Sequence, residues 1–364
     1  MAVNPVWPFK EQIEKQGYEN NPLWTDEPAN PSRHMPCGYW RRWLPGESWR
    51  AGEHDEWTFQ PVGGMLPPAR SRHTAVIYNN KMYIFGGYES HRDSALNDLW
   101  MYDFDSNLWT ELHPSGTPPT PCAHASAVVY QNKMFITGGY RIVGGGGTIL
   151  PSSQHVEYNF STNAWTRKDY ISRSVYNHTA VVIQDKILLF SGYWSDYYGY
   201  SKRFGTYDIT TDNWSYVISS ADPFKRLGHS AVVRRHKMYI FGGRKYNYSH
   251  LNDLWVYDYD ADSWEEKTPC PVGIQDAFAV ENNQIMYVVG GKTNPTSSDK
   301  ISLWAYHLVN DEWEEKSAID HYYSYYHTLV NFEGSLYFFS PYEYDGSAYP
   351  YYNVVSNDMY KYRI

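Results

Sequence analysis

An all-β chain of six similar four-stranded units, set radially as a β-propeller, is the fold this sequence predicts. Three observations predict it. The run HTAVIYNNKMYIFGGY from His73, followed by LNDLWMYDFDSNLWTEL ending at Leu112, returns as HSAVVRRHKMYIFGGR from His229 and LNDLWVYDYDADSWEEK ending at Lys267. A doublet recurs at Gly86-Gly87, Gly138-Gly139, Ser191-Gly192, Gly242-Gly243, Gly290-Gly291 and Ser340-Pro341, at intervals of 52, 53, 51, 48 and 50 residues. The two ends of the chain complement each other: the sixth unit stops at Ile364 one strand short, and Asp55–Phe59 reads as a fourth strand with no unit before it.

Within a unit each element has a local cause. HTAVIY and KMYIFGG are β-branched and aromatic runs joined by Asn79-Asn80, a strong two-residue hairpin signal. The glycine pair is expected to close the second strand where the backbone turns or a neighbour comes close. DLWMYDF is the third strand, Asp105-Ser106-Asn107 a turn, and LWTEL the fourth. Trp57, Trp109, Trp165, Trp214, Trp264 and Trp313 recur in the fourth strand. With residues such as Tyr102 they supply the large faces that one small sheet packs against the next. Pairing the N-terminal strand with the last unit closes the ring and leaves no open edge between first and last sheets.

A period of about 50 with four strands per unit resembles the kelch repeat family from residue 53 to the C-terminus. The resemblance implies a six-bladed kelch β-propeller whose last blade is closed by an N-terminal fourth strand at about 55–60. The blades are expected at about 73–112, 124–168, 178–217, 229–267, 276–316 and 327–364. Residues 1–52 do not fit the repeat. They hold Trp7, Trp24, Trp40, Trp43 and Trp49, an aromatic density that disordered tails avoid. An ordered extension packed on the propeller is expected, either as structural cover or as a roof over one face.

Composition excludes several partner classes. The net charge is −9 without a basic run, which argues against nucleic acid. No apolar stretch approaches the ~18 residues of a membrane span, and the start MAVNPVWPFKEQIEK lacks the apolar core of a signal peptide. Cys37, Cys122 and Cys270 are odd in number and fit neither a metal site nor a disulfide framework. A cytoplasmic protein with free thiols is the reading, and the sequons at Asn159, Asn177, Asn213 and Asn247 are taken as chance.

Loops on a rigid scaffold usually carry function. The second-to-third-strand loops of a propeller share one face with the connections between blades. Tyr88, Tyr140, Tyr193, Arg244, Lys292 and Tyr342, which follow the doublets, are expected to line it, with Glu89, Arg141, Trp194 and Tyr246 beside them. Tyrosine combines rigid area with a polar tip and suits recognition. Four glycines, Gly144–Gly147, have no following helix and are no phosphate loop.

The opening histidines His73, His124, His178, His229 and His327, with Asp276 in the fifth unit, suggest a ring. One imidazole per blade is too dispersed for an ion that needs ligands about 2 Å away, so a structural role is expected and no metal. Asp276 stands out as an acid whose burial would raise its pKa unless Arg226, Arg244 or Lys292 pairs it.

Some kelch propellers are enzymes. Glu89-x3-Asp93-x3-Asn97 matches two of the three iron ligands of the plant specifier proteins, but Asn97 belongs to the ordinary repeat, so no iron or other cofactor is implied. Acid–base work of the kind in the sialic-acid mutarotases would fall to Glu89, Arg92, Asp93, Glu343 and Asp345. The cysteine contexts do not suit a galactose-oxidase-like centre. The reading is a recognition module for a protein or peptide, with a small-molecule isomerase or lyase in the funnel, or a carbohydrate binder using tyrosines and Trp194, as alternatives. The absence of a BTB, F-box or coiled-coil pattern and the aromatic N-terminal segment favour the enzyme alternative.

Overall fold

The computed structural model describes residues 57–89, 94–143, 148–194, 199–200, 203–218, 223, 225–245, 247, 249–293, 301–319, 327–339, 342–344, 353–355 and 359–364. The non-repeat segment 1–52, the 144–147 loop, Tyr246 and the Ser340-Pro341 doublet lie outside them.

Alternating β-branched and aromatic runs fold as expected into antiparallel sheets. Blade 1 pairs Thr74–Tyr78, Lys81–Glu89, Ser94–Asp103 and Leu108–Leu112 in that spatial order. Blade 4 repeats it with Ser230–Arg234, Lys237–Phe241, Leu254–Asp258 and Ser263–Lys267. In blade 6, Thr328–Phe332 and Ser335–Phe339 are followed by Met359–Arg363 and then by Trp57–Phe59, with Trp57 opposite Tyr362 and Phe59 opposite Tyr360. The six first strands touch their neighbours in turn, and the first strand of blade 6 touches that of blade 1. Among the described residues there is no helix, and none long and apolar enough to cross a membrane.

The glycine doublet does not close the second strand in blades 1 and 2. There the strand runs on to Glu89 and Val143, with a register shift between Phe85 and Gly87 in blade 1. Gly86 sits at φ 64°, and a Cβ there would lie 2.7 Å from the carbonyl oxygen of Cys122 in the next blade. Close approach between blades, rather than strand termination, is what requires glycine.

The turn before each fourth strand shows how side chains and backbone agree. Asp103 accepts the N–H groups of Asp105 and Ser106, and the Tyr102 hydroxyl donates to Asn107 at 2.8 Å. Tyr158 with Asn163, Tyr257 with Asp262 and Tyr306 with Asp311 repeat the contact at 2.8, 2.7 and 2.6 Å, and Tyr207 makes it with Asp212. All five acceptors have positive φ. Asn and Asp tolerate that backbone and supply the oxygen the tyrosine needs.

Apolar cores lie between blades. Trp109 packs 4.9 Å from Phe339 of blade 6, Trp165 5.5 Å from Phe85, Trp264 5.2 Å from Phe190, and Trp313 5.0 Å from Phe241. These four tryptophans thus meet the phenylalanine just before the doublet in the preceding blade. Blade 2 carries Thr137 in place of that phenylalanine, and His155, 5.2 Å from Trp214, fills the space while bonding Thr137 at 2.9 Å.

The histidine ring is an interblade device and is smaller than the sequence suggested. His73 Nε2 meets Thr328 Oγ1 of blade 6 at 2.8 Å, and His229 Nε2 meets Thr179 Oγ1 of blade 3 at 2.8 Å. The shorter Ser126 donates instead to the His178 carbonyl at 3.0 Å, and Ser230 to the Ala277 carbonyl at 2.6 Å. His124 and Asp276 fall one residue earlier in the repeat than assigned. Ala125 and Ala277 hold the histidine position. Among the described residues no group of His, Cys, Asp or Glu is arranged to hold a metal ion.

Burial pushes these imidazoles down: His178 and His327 to about 3, His73 and His229 well below the ordinary value. The unfolded chain takes up protons below about 6.5 while the folded one does not. Their stabilisation is therefore complete above about 6.5 and lost progressively as pH falls towards about 3. We predict a loss on the order of 1 kcal/mol per histidine between pH 7.5 and 5.5, read as a lower urea midpoint. An unchanged midpoint would contradict burial of neutral imidazoles.

Candidate functional site

In blades 1 to 5 the segment entering the first strand is bound to the residue that follows the doublet. Ser71 bridges Tyr88, Ala123 pairs Tyr140, Tyr176 pairs Tyr193, Leu227 bridges Arg244 and Gln275 pairs Lys292. In blades 1 to 5 this places Tyr88, Tyr140, Tyr193, Arg244 and Lys292 beside the segments entering the first strands.

One residue further along, the chain lines the funnel. Arg72, His124, Asn177, Gly228 and Asp276 hold equivalent positions at φ 59°, 53°, 54°, 59° and 57°. Their backbones run from blade to blade: His124 N–H donates to Arg72 O at 2.9 Å, Asn177 to His124 O at 3.4 Å, Gly228 to Asn177 O at 3.4 Å and Asp276 to Gly228 O at 2.7 Å. These residues precede the innermost strands, so their positions converge on the funnel throat. The sequence reading gives no site role to Arg72, Asn177 or Gly228. Their signal was available as the residue before each histidine position.

Two sectors differ in chemistry. On the side of blades 1 to 3 the wall is aromatic. Arg72 lies 5.7 Å from the Tyr88 ring centre and donates to the Tyr140 hydroxyl; Tyr140 packs at 5.6 Å on His124 and 5.1 Å on Tyr176; Tyr176 stacks at 5.0 Å on Tyr193. On the side of blades 4 and 5 it is charged, with Arg244, His250, Lys292 and Asp276. Burial pushes the Asp276 carboxyl up against the opposing charges of Lys292, Arg244 and Arg72. Burial lowers Lys292 while Asp276 opposes the shift, and lowers His250 with the help of Lys292 and Arg244.

The expected site residues divide accordingly. Tyr88, Tyr193, Arg244, Lys292 and Asp276 are partly exposed at the mouth, and Arg141 is exposed beside it. Tyr140 is only 3 % exposed and serves as wall. Glu89 is buried at the end of its strand. Trp194 is a correction: it is 1 % exposed, donates its indole N–H to the Ser191 carbonyl at 2.8 Å and packs with Ile171, Val175 and Leu189. No ring face is left for a sugar. Tyr342 lies in the strand Tyr342–Tyr344 paired with Asn353–Val355.

Arg226 is a second correction, since it does not serve Asp276. It donates to both oxygens of Asp253 at 2.8 and 2.7 Å and to the Gly242 carbonyl at 2.9 Å. Arg70 does the same with Asp98 at 2.7 and 2.6 Å and with Gly86 O at 3.0 Å. In blade 2 the equivalent pair is Cys122 and Gln154, whose amide donates to the thiol sulfur and to Gly138 O, each at 3.1 Å. Cys122 and Cys270 are buried free thiols, pushed up to about 12 by burial.

A separate open cleft of about 530 Å³ lies at the opposite end, lined by the Arg234–Lys237 turn, Asp258, Asp260 and Val309. Arg234 pairs with Glu281, His236 with Asp260 and Lys237 with Asp258, which leaves little net charge there.

The sequence profile of the KLHDC2/KLHL20/DRC7 Kelch-repeats domain matches residues 50–174 and 142–341. The chain is 30% identical over 264 residues to the Drosophila melanogaster leucine-zipper-like transcriptional regulator 1 homolog, a stretch covering 66% of this chain but 26% of that protein. It is 25% identical over 285 residues to kelch domain-containing protein 3 of Bos taurus, covering 71% of this chain and 72% of the relative. In three dimensions it is similar to YjhT, with a TM-score of 0.65 at 17% identity, over 80% of this chain and 95% of that one. On the profile match across its repeats, the chain belongs to the KLHDC2/KLHL20/DRC7 Kelch-repeats domain family.

Proposed function

We propose that this propeller is a recognition module whose funnel mouth binds an acidic segment of a protein partner. The supporting observation is the gathering of Arg72, Arg244 and Lys292 around one throat in a chain of net charge −9. Lys245 and Arg141 flank them, and Asp276, Glu89 and Glu343 are the acids next to the described residues of this row. Local charge of one sign on a concave wall concentrates a ligand of the other. Tyr88, Tyr176 and Tyr193 add rigid area beside the cations, as peptide-binding surfaces use it.

Selection from a random dodecapeptide display library tests this. Enrichment of Asp and Glu is expected, with binding falling at least tenfold on Arg244→Ala and weakening as salt rises. Enrichment of basic peptides, or retention of the same peptides by Arg244→Ala, would overturn the proposal. A second reading, turnover of a small molecule, is favoured by the half-buried acid Asp276, whose charge acts on the Tyr140 hydroxyl. It calls for the opposite outcome: no peptide enrichment, and thermal stabilisation by a small polyhydroxylated acid that is lost in Asp276→Ala.

A further inference from the structure

Asp276 is out of place in a cationic mouth. Its equivalents in blades 1 to 4 are Arg72, His124, Asn177 and Gly228, so among the described ring positions the carboxylate enters only in blade 5. It lies over the one ring position that lacks a side chain: a Cβ on Gly228 would sit 2.2 Å from Asp276 Oδ1. Its other oxygen accepts from Gln275 Nε2 at 3.0 Å. The charged and titratable groups facing it are Lys292 on the strand beside its own segment, Arg244 from blade 4, Arg72 from blade 1 and the Tyr140 hydroxyl from blade 2. His250 faces Lys292 and Arg244 in turn.

An anion drawn to those cations therefore meets a carboxylate already among them. The cations favour the ionised form of each carboxylate, but two carboxylates sharing one small site also repel each other, and a shared proton relieves that repulsion. We infer that Asp276 makes the throat a proton-linked anion site, in which a carboxylate of the bound segment seats among Arg72, Arg244 and Lys292 as the Asp276 carboxyl takes up one proton. The proton comes from solvent and stays on the Asp276 carboxyl, which then donates a hydrogen bond to the incoming carboxylate. The inference rests on the acidic-segment reading of the mouth, and it adds that Asp276 opposes binding when ionised.

The test uses the full chain and a fluorescein-labelled tetraglutamate peptide, whose side chains remain ionised from pH 7.5 to 5.5. Polarisation titrations at the two pH values should show tighter binding at 5.5. Asp276→Asn, which keeps shape and removes charge, should bind about tenfold tighter at pH 7.5 and lose most of the pH dependence. Calorimetry of the unaltered protein at pH 6.5, in two buffers of different ionisation enthalpy, should show net proton uptake on binding. This second measurement keeps the question open to refutation if the variant folds poorly. Binding that is unchanged or weaker in Asp276→Asn, or binding without proton uptake, overturns the inference while the acidic-segment reading survives. No binding by either protein at either pH overturns both.

Discussion

Replacing Asp98 by asparagine is expected to destabilise the protein by about 3–5 kcal/mol, the cost of leaving a buried arginine without its counter-charge. Arg70 is fully buried and spends its donors on the two Asp98 oxygens, Gly86 O and Pro68 O, and Asp98 also accepts the Trp100 indole N–H at 2.7 Å. Asparagine keeps one acceptor and turns the other towards the guanidinium as a donor. Burial alone would raise the Asp98 carboxyl, but the hydrogen bonds and charge of Arg70, with the Trp100 bond, outweigh it and hold the group below its usual value. Its contribution is therefore present above about pH 3.9, the unfolded value, and lost as pH falls through the lower folded one. Guanidinium unfolding at pH 7 reads the effect. The double replacement Arg70→Met, Asp98→Leu should recover part of the loss, since no uncompensated charge remains. If Asp98→Asn costs under about 1 kcal/mol, a figure ordinary for surface pairs, the pair does not anchor the segment entering blade 1 as its geometry describes.

Trp109→Ala is expected to cost about 3–5 kcal/mol, as large-to-small changes in packed cores do. The indole is 2 % exposed and lies at the seam between blades 6 and 1, against Phe339 at 4.9 Å and Tyr102 at 5.2 Å. Blade 6 takes its outer strand from Trp57–Phe59 on the far side of the sequence. A cavity here weakens the seam where the chain's two ends meet. Trp109→Phe should cost far less, because the indole N–H has no acceptor among the described residues and only ring volume is lost. Thermal unfolding of the two variants side by side decides it. Equal losses would mean that the N–H, not packing, matters.

Some of this was legible in the residues and some was not. The blade strands, the Asn79-Asn80 hairpin and the tryptophan positions could be read directly, because strand alternation, turn chemistry and repeat spacing are local properties of the chain. Trp194 looked like a ring for a ligand, and burial made it wall. Arg226 looked like a counter-charge for Asp276, and the fold gave it Asp253, 27 residues on in sequence. His124 and Asp276 stand one residue before the position of His73 and His229, because the positive φ and the blade-to-blade N–H chain, not residue type, define the ring.

By itself, then, the sequence determined the number of blades, their strands and which residues follow each doublet, since these depend on periodicity and nearest-neighbour chemistry. Only the tertiary structure decided which histidines bond across blades, which arginines are buried and which acid faces the cations of the throat. Those outcomes depend on distances between residues of different blades, and closure of the ring is what sets such distances.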